Sequence, residues 1–168
     1  SLGTTFPNFF CATPLCSPSR VSLLTGRYSH NHGVLGNGGA SGGWARFAEL
    51  ELGSETIQMP LHAAGYRTAH IGKFINGAPA RGQVPPGWDT WYCQTDFRYH
   101  GPRVNNNGRR RDLGEKAYST DVLRDKAVAF IRSTPADQPL FLHFSPIAPH
   151  NNPTPAGRHD NAFKKTAL

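Results

Sequence analysis

The apolar residues of this chain recur in short blocks, and two of these blocks have the spacing of a helix. Between Ser119 and Arg132, apolar side chains return every three or four positions, which predicts an amphipathic helix. These side chains are Leu123, Ala127, Phe130 and Ile131. A shorter helix is predicted over Thr56–Ala64, with Thr56 as its cap and Gly65 as its end.

Other apolar blocks are compact and predict strands. Residues 139–145 and 66–71 form two such blocks, and Phe6–Phe10 reads as the end of a third strand. The stretches 29–43, 76–86 and 101–114 are rich in Gly, Pro, Asn or His and predict loops. Alternating helices and strands predict an α/β fold, with a mostly parallel sheet flanked by helices.

Composition indicates the charge of possible binding partners but does not select a function. The 168 residues carry a formal net charge of +7, which favours anionic partners such as nucleic acid, anionic polysaccharide or sulfated sugars. The densest basic run, Arg109–Arg111, is predicted to be a solvated loop. Three cysteines do not make a disulfide framework, and pairing of Cys11 with Cys93 stays open. No apolar run approaches the length needed to span a membrane.

Cys16 has a sequence context that suits a reactive group. Pro18 fits the first turn of a helix, Ser17 is a candidate cap, and the apolar run that follows predicts a helix that ends near Gly26. Cys16 is thus predicted at a helix N-terminus, where an anion is favoured, with Arg20 one turn along. These residues alone fit a buried structural cysteine, a thiolate nucleophile or a precursor of another nucleophile.

The segment Cys16-Ser17-Pro18-Ser19-Arg20 and the seven residues after it resemble the signature of the type I sulfatases. In that family the cysteine is oxidised to formylglycine by a formylglycine-generating or equivalent maturation enzyme. The resemblance implies that the hydrated aldehyde at position 16 attacks a sulfate ester. It also implies that Arg20 stabilises the charge that develops on sulfate.

The segment from Gly65 to Lys73 resembles the second sulfatase signature, in which Gly-Lys closes a strand. Lys73 would deliver an ammonium group to the sulfate oxygens, and His70 falls inside the strand as a core or supporting residue. Many members have a histidine where this chain has Ile75. The sequence from Gly72 to Gly77 instead resembles that of N-acetylglucosamine-6-sulfatases and heparan-sulfate endosulfatases, with Asn76 available for hydrogen bonding near the substrate.

Three further segments, 28–34, 84–92 and 148–153, resemble the same subgroup. By this resemblance His150 assists the leaving alcohol, a role that suits an imidazole near neutral pH. His30 and His32 are candidates for the substrate mouth, and an ordinary loop role is equally open for both. The aromatic side chains of the second segment are better explained by core packing than by sugar stacking. They are Trp88, Trp91 and Tyr92.

The resemblance also implies a calcium ion, with position 16 as one ligand in its formylglycine form. The family supplies the other ligands from an Asp-Asp pair upstream and an Asp-Asn pair far downstream, and neither pair is among these residues. Asp160-Asn161 is predicted to be surface. Residues 1–168 thus resemble part of the N-terminal catalytic domain of an alkaline-phosphatase-like sulfatase fold, without its first metal-binding strand and its C-terminal portion. We expect this piece alone to be inactive, because the metal would not be held.

The expected function is hydrolysis of a sulfated sugar similar to glucosamine 6-sulfate, with no nucleic-acid or membrane partner. Two alternatives remain: a non-catalytic piece that binds anionic glycans, and a related phosphate-ester hydrolase. Cysteine at position 16 argues against the second, because such hydrolases typically use Ser or Thr. Export to the periplasm, the extracellular space or the lysosome is expected from the family alone.

Overall fold

A five-stranded mixed sheet forms the centre of the computed structural model, which describes residues 3–162. Its strands are β1 (Arg67–Lys73), β2 (Thr90–Gln94), β3 (Arg103–Asn106), β4 (Arg109–Asp112) and β5 (Leu140–Ser145), in the order β4-β3-β2-β1-β5. Strand β1 is parallel to both of its neighbours, β2 and β5. The pairs β2–β3 and β3–β4 are antiparallel. The parallel half and its helices confirm the predicted α/β class, and the antiparallel half was not foreseen.

Helices cover both faces of this sheet. They are α1 (Cys16–Thr25), α2 (Ser29–His32), α3 (Gly43–Glu49), α4 (Gln58–Ala63) and α5 (Ser119–Ser133), with short 3-10 turns at Leu52–Glu55 and Gly157–His159. Helix α5 packs Leu123, Ala127 and Phe130 against the face that carries Tyr92. Trp91 and Cys93 point to the opposite face, because side chains alternate along a strand, and there they pack with α1 and α3. No helix among residues 3–162 has both the length and the apolar character of a membrane span.

The stretch 101–114, predicted to be a loop, is a β-hairpin. Asn107 and Gly108 both have positive φ, +48° and +85°, which suits a tight two-residue turn. The buried Asn105 side chain donates to the Pro79 carbonyl and accepts from the Gly108 N–H. The Asn-Gly pair was a usable signal, but the basic run after it hid the strand, because β4 is an edge strand and all its residues are exposed.

Several predicted strand features differ in the structure. Phe6–Phe10 forms turn and coil rather than the end of a strand, with the Phe10 side chain 83% exposed. Strand β5 was expected to be buried, yet Leu140 and Phe144 are exposed. The reason is its place at the edge of the sheet that residues 3–162 form.

The helix ends differ from the predictions in their caps. Residue 15, not Ser17, is the N-cap of α1, and Ser17 is buried inside the first turn. Thr56 does not cap α4, since its hydroxyl donates to the Gly53 carbonyl and the helix begins at Gln58. The predicted loop 29–43 contains the short helix α2. The left-handed Gly26 ends α1 as predicted, and α5 has its predicted bounds to within one residue.

Candidate active site

Cys16 is the first residue of α1, so its side chain lies at the N-terminus of that helix. The thiol is free and half-buried. It lines a cavity of about 440 Å³ together with Arg20, His143 and Ser145. Helix N-termini favour negative charge, so this position suits an anionic substrate or nucleophile.

Arg20, one turn along α1, ties the helix to the ends of two strands. Its Nη1 donates to the Lys73 carbonyl at 2.7 Å and to the Ser145 hydroxyl at 2.5 Å. Burial lowers the pKa of the guanidinium from its usual value, and Cys16 and Cys93 act in the opposite direction. The structure therefore brings Arg20 and Lys73 together at the carboxyl ends of β1 and β5, where α/β sheets commonly bind ligands.

Lys73, the last residue of β1, is a buried cation next to Cys16. Its ammonium group lies close enough to the Cys16 thiol to interact with it electrostatically, and the whole residue is only 5% exposed. Burial is the main cause that lowers the pKa of Lys73; Cys16 raises it and Arg20 lowers it further. A buried ammonium near this thiol is a suitable donor to an anion that enters the Cys16 cavity.

His150 lies in the loop after β5 and is linked to Lys73 by an aromatic ring. The Phe97 ring centroid is 4.7 Å from the His150 ring and 4.6 Å from the Lys73 Nζ. The Tyr99 hydroxyl donates to the His150 carbonyl at 2.9 Å. Phe97 and Tyr99 were missed from the sequence. No local sequence signal marked them, because they approach the site only through β2, whose Gln94 is the register partner of Lys73.

Asn76 lies beside the start of α1. Its backbone N–H donates to the Ser17 hydroxyl, and the Ser17 N–H donates to the Asn37 side chain at 2.8 Å. The Asn76 carboxamide oxygen is buried and has no hydrogen-bond partner among residues 3–162. The structure thus places the Asn76 backbone next to the helix that carries Cys16.

The two histidines predicted at the substrate mouth have different surroundings. His30 is exposed and stacks on Tyr28. His32 is buried: its Nδ1 accepts from the Val34 N–H, so its Nε2 carries the proton and donates to the Ser22 hydroxyl. His32 thus links α1 to α2, and only His30 has a surface that a sugar can contact.

Other sequence expectations concern side chains away from Cys16. Trp91 and Tyr92 are 1% and 3% exposed, which confirms core packing over sugar stacking for this pair. Cys11 and Cys93 do not pair: the first is exposed and the second is buried. Asp160 and Asn161 are exposed, as predicted.

The part of the chain that the structure describes does not contain a calcium site. No group of three or more His, Cys, Asp or Glu side chains in residues 3–162 can hold a metal ion. Calcium prefers six to eight oxygen ligands, and the Cys16 cavity is lined by none of the carboxylates. Calcium therefore stays an expectation from the family resemblance.

Comparison with known proteins identifies the family. The family model described as Sulfatase matches residues 1–167. The chain belongs to the sulfatase family. It is 35% identical to the N-acetylglucosamine-6-sulfatase of Capra hircus, over 97% of this chain and 31% of that protein. It is 33% identical to the arylsulfatase of Volvox carteri, over 99% of this chain and 29% of that protein.

A solved structure supports both the family and the fold. It is a protein in complex with its substrate D-glucosamine-2-N,6-O-disulfate, with a TM-score of 0.78 and 29% identity over 96% of this chain. The chain covers 30% of that protein and 29–31% of the two sulfatases named above. It therefore corresponds to less than a third of each.

Proposed function

We propose that the protein hydrolyses the sulfate ester of a glucosamine-type sugar, with formylglycine formed from Cys16 as the nucleophile. The observation that carries this proposal is the meeting of Cys16, Arg20 and Lys73 where α1 joins the ends of β1 and β5. The sugar is proposed from the N-acetylglucosamine-6-sulfatase relative and from the substrate of the solved neighbour.

The Cys16 position fits the proposed modification. Its thiol is half-buried, lines an open cavity and lies next to an ammonium group. A hydrated formylglycine there supplies one hydroxyl to attack sulfur and a second hydroxyl to expel sulfate and regenerate the aldehyde. Serine or unmodified cysteine lacks the second hydroxyl, which is the chemical reason for the modification.

Lys73 and Arg20 supply the positive charge for sulfate. Lys73 lies near the Cys16 side chain, so its ammonium group can stabilise negative charge first on the nucleophile and then on the sulfate oxygens. Arg20 uses Nη1 to hold the strand ends, and its guanidinium has further N–H groups for the anion. Both cations are in place before substrate binds, so little reorganisation is needed during reaction.

His150 is proposed to protonate the sugar oxygen as its bond to sulfur breaks. Its support on Phe97, next to the Lys73 ammonium, keeps the imidazole near the carboxyl end of β1. Asn76 and His30 are proposed to contact the sugar. For His32, buried between α1 and α2, the geometry supports a structural role instead. Calcium is assigned no step, because the described residues do not form its site.

The test uses the protein expressed from its full natural reading frame together with a maturation enzyme. Mass spectrometry of the Cys16 peptide should show sulfur replaced by oxygen with the loss of two hydrogens. Glucosamine 6-sulfate should be hydrolysed, and Cys16→Ala should abolish turnover while folding is retained. An intact thiol together with tight heparin binding and no turnover would support the glycan-binding alternative. Faster hydrolysis of the matching phosphate ester would support the phosphate-ester alternative.

A further inference from the structure

A buried pair of histidines lies directly behind the proposed sulfate site, and the mechanism above does not use it. His70, in the middle of β1, is fully buried, and its register partner on β5 is His143. Their Nδ1 atoms are 3.0 Å apart. His143 also lines the Cys16 cavity. The pair therefore connects the sheet interior with the wall of the site.

The hydrogen bonds leave one tautomer for each ring. His70 Nε2 is 3.0 Å from the Gly72 carbonyl oxygen, and a carbonyl only accepts, so Nε2 carries the proton. The neutral ring then has a bare Nδ1, which accepts a hydrogen bond from the Nδ1–H of His143. His143 is thereby held as the Nδ1–H form.

The surroundings keep the pair neutral. His70 is in ring contact with Phe74, Trp88 and Trp91, and burial followed by His143 lowers its pKa well below the usual value. The charged group that faces both rings is Arg20 of α1, and it lowers the pKa of each. Cys93 on β2 is also titratable and faces Arg20. Burial raises the pKa of its thiol to about 12. Both rings thus act as hydrogen-bonding groups rather than charges.

The carbonyl that His70 holds belongs to the peptide bond that leads into Lys73. The next carbonyl, that of Lys73 itself, accepts from Arg20 Nη1 at 2.7 Å. The backbone of Lys73 is therefore fixed on both sides. Gly72 allows this geometry because its φ is +122°, and a Cβ there would lie 2.1 Å from the Ser145 carbonyl oxygen.

We propose that His70 is a positioning residue: its Nε2–H bond to the Gly72 carbonyl, with the tautomer set by His143, fixes the strand end from which Lys73 reaches the sulfate. This inference rests on the proposed function. Supporting groups of this kind matter because a shift of about 1 Å in a catalytic group can lower a rate about 100-fold.

Two amide substitutions distinguish the role of the His70 Nε2 atom from that of its Nδ1 atom. His70→Gln places an N–H near the position of Nε2 and keeps the bond to Gly72. His70→Asn places its amide near the position of Nδ1 and loses that bond. With the sulfate ester as substrate, we expect H70Q to remain within about threefold of wild-type kcat and H70N to fall about 10- to 100-fold. Melting temperatures of both variants are measured alongside, and equal kcat losses in the two overturn the proposal.

Two further measurements do not depend on turnover. Nitrogen-15 NMR of the histidine-labelled wild type at pH 7 should show His70 as the Nε2–H form and His143 as the Nδ1–H form; a protonated or Nδ1–H His70 overturns the proposal. Inorganic sulfate should bind H70N about tenfold more weakly than H70Q. Equal sulfate affinities contradict the positioning role. A wild type that hydrolyses no sulfate ester contradicts the proposed function instead, and these two measurements still test His70.

Discussion

Two basic segments of this chain, the end of β1 at Lys73 and the run Arg109–Arg111, have opposite surroundings in the structure. Lys73, at the end of β1, is 5% exposed and lies near the Cys16 thiol. Arg109–Arg111, on the edge strand β4, is exposed throughout. There Arg110 is paired with Asp112 in an ion pair that faces solvent. The charge of Lys73 is largely removed from water, whereas the charges of Arg109–Arg111 are screened by water.

This difference shows which cations can act on a substrate. A buried charge interacts strongly with an anion, because little water screens it. Exposed pairs gain little in water, and charged edge strands mainly prevent pairing with other sheets. We therefore expect changes around Lys73 to affect activity or folding strongly, and changes in the hairpin to affect neither.

The largest effect on stability is expected for Gly72→Ala. Its Cβ would lie 2.1 Å from the Ser145 carbonyl oxygen, and the backbone φ of +122° disfavours alanine. We expect a loss of at least about 3 kcal/mol in the free energy of unfolding, measured with urea. Gly26→Ala is the matched control, since φ is also positive but no atom lies within 4 Å. It should cost about 1–2 kcal/mol, and equal losses would contradict the close approach of β1 and β5.

Lys73→Met should lower kcat/KM for the sulfate ester by about 100- to 1000-fold, as is found when a charge-stabilising donor is removed. The melting temperature should not fall much, because the variant no longer buries a charge. Arg111→Met in the exposed hairpin is the control, and its activity should stay within about twofold of the wild type. Similar losses in both variants would remove the distinction between the two basic segments.

Acid should destabilise the region around the site through His143. Burial, and then Arg20, lowers the pKa of His143 from 6.5 to about 4. Because the unfolded chain then binds more protons between these values, stability is lost as pH falls from 6.5 toward about 4. The contribution of His143 is roughly 3 kcal/mol. His143→Asn keeps an N–H donor to His70 but cannot titrate, so its stability should fall less over this pH range in urea titrations. An unchanged slope would contradict the prediction.

The smallest effect is expected in the hairpin. Arg110→Ala removes an ion pair with Asp112 whose two side chains are 41% and 53% exposed. We expect the melting temperature to change by less than about 2 °C, because such exposed pairs contribute little. A larger fall, measured by calorimetry, would mean that β4 depends on this ion pair.

Much of the fold was readable from local patterns, and the missed parts have a common cause. Helix α5 and the end of α1 at Gly26 follow from apolar spacing and from glycine's tolerance of positive φ. The hairpin was missed because three arginines do not alternate with apolar residues, and an edge strand does not require them to. Strand β5 was overestimated as buried because its composition does not reveal its position at the edge of the sheet formed by residues 3–162.

For the site, the sequence pointed to Cys16, Arg20, Lys73 and His150, and the structure brings the first three together. The sequence did not reveal Phe97, whose ring contacts both the Lys73 ammonium and the His150 ring, because these contacts join residues far apart in the chain. Nor did it separate exposed His30 from buried His32, two positions apart on one short helix.

By itself the sequence determined the identities of the chemical groups and their local conformation: a cysteine at a helix start, a lysine at a strand end and glycines where φ is positive. Tertiary structure decided which of these groups are desolvated and which hydrogen bonds they make. It buried Lys73, turned Arg20 toward two strand ends and paired His70 with His143 across parallel strands. The reason is that backbone preferences act between near neighbours, whereas solvation and register depend on segments that only the folded sheet brings together.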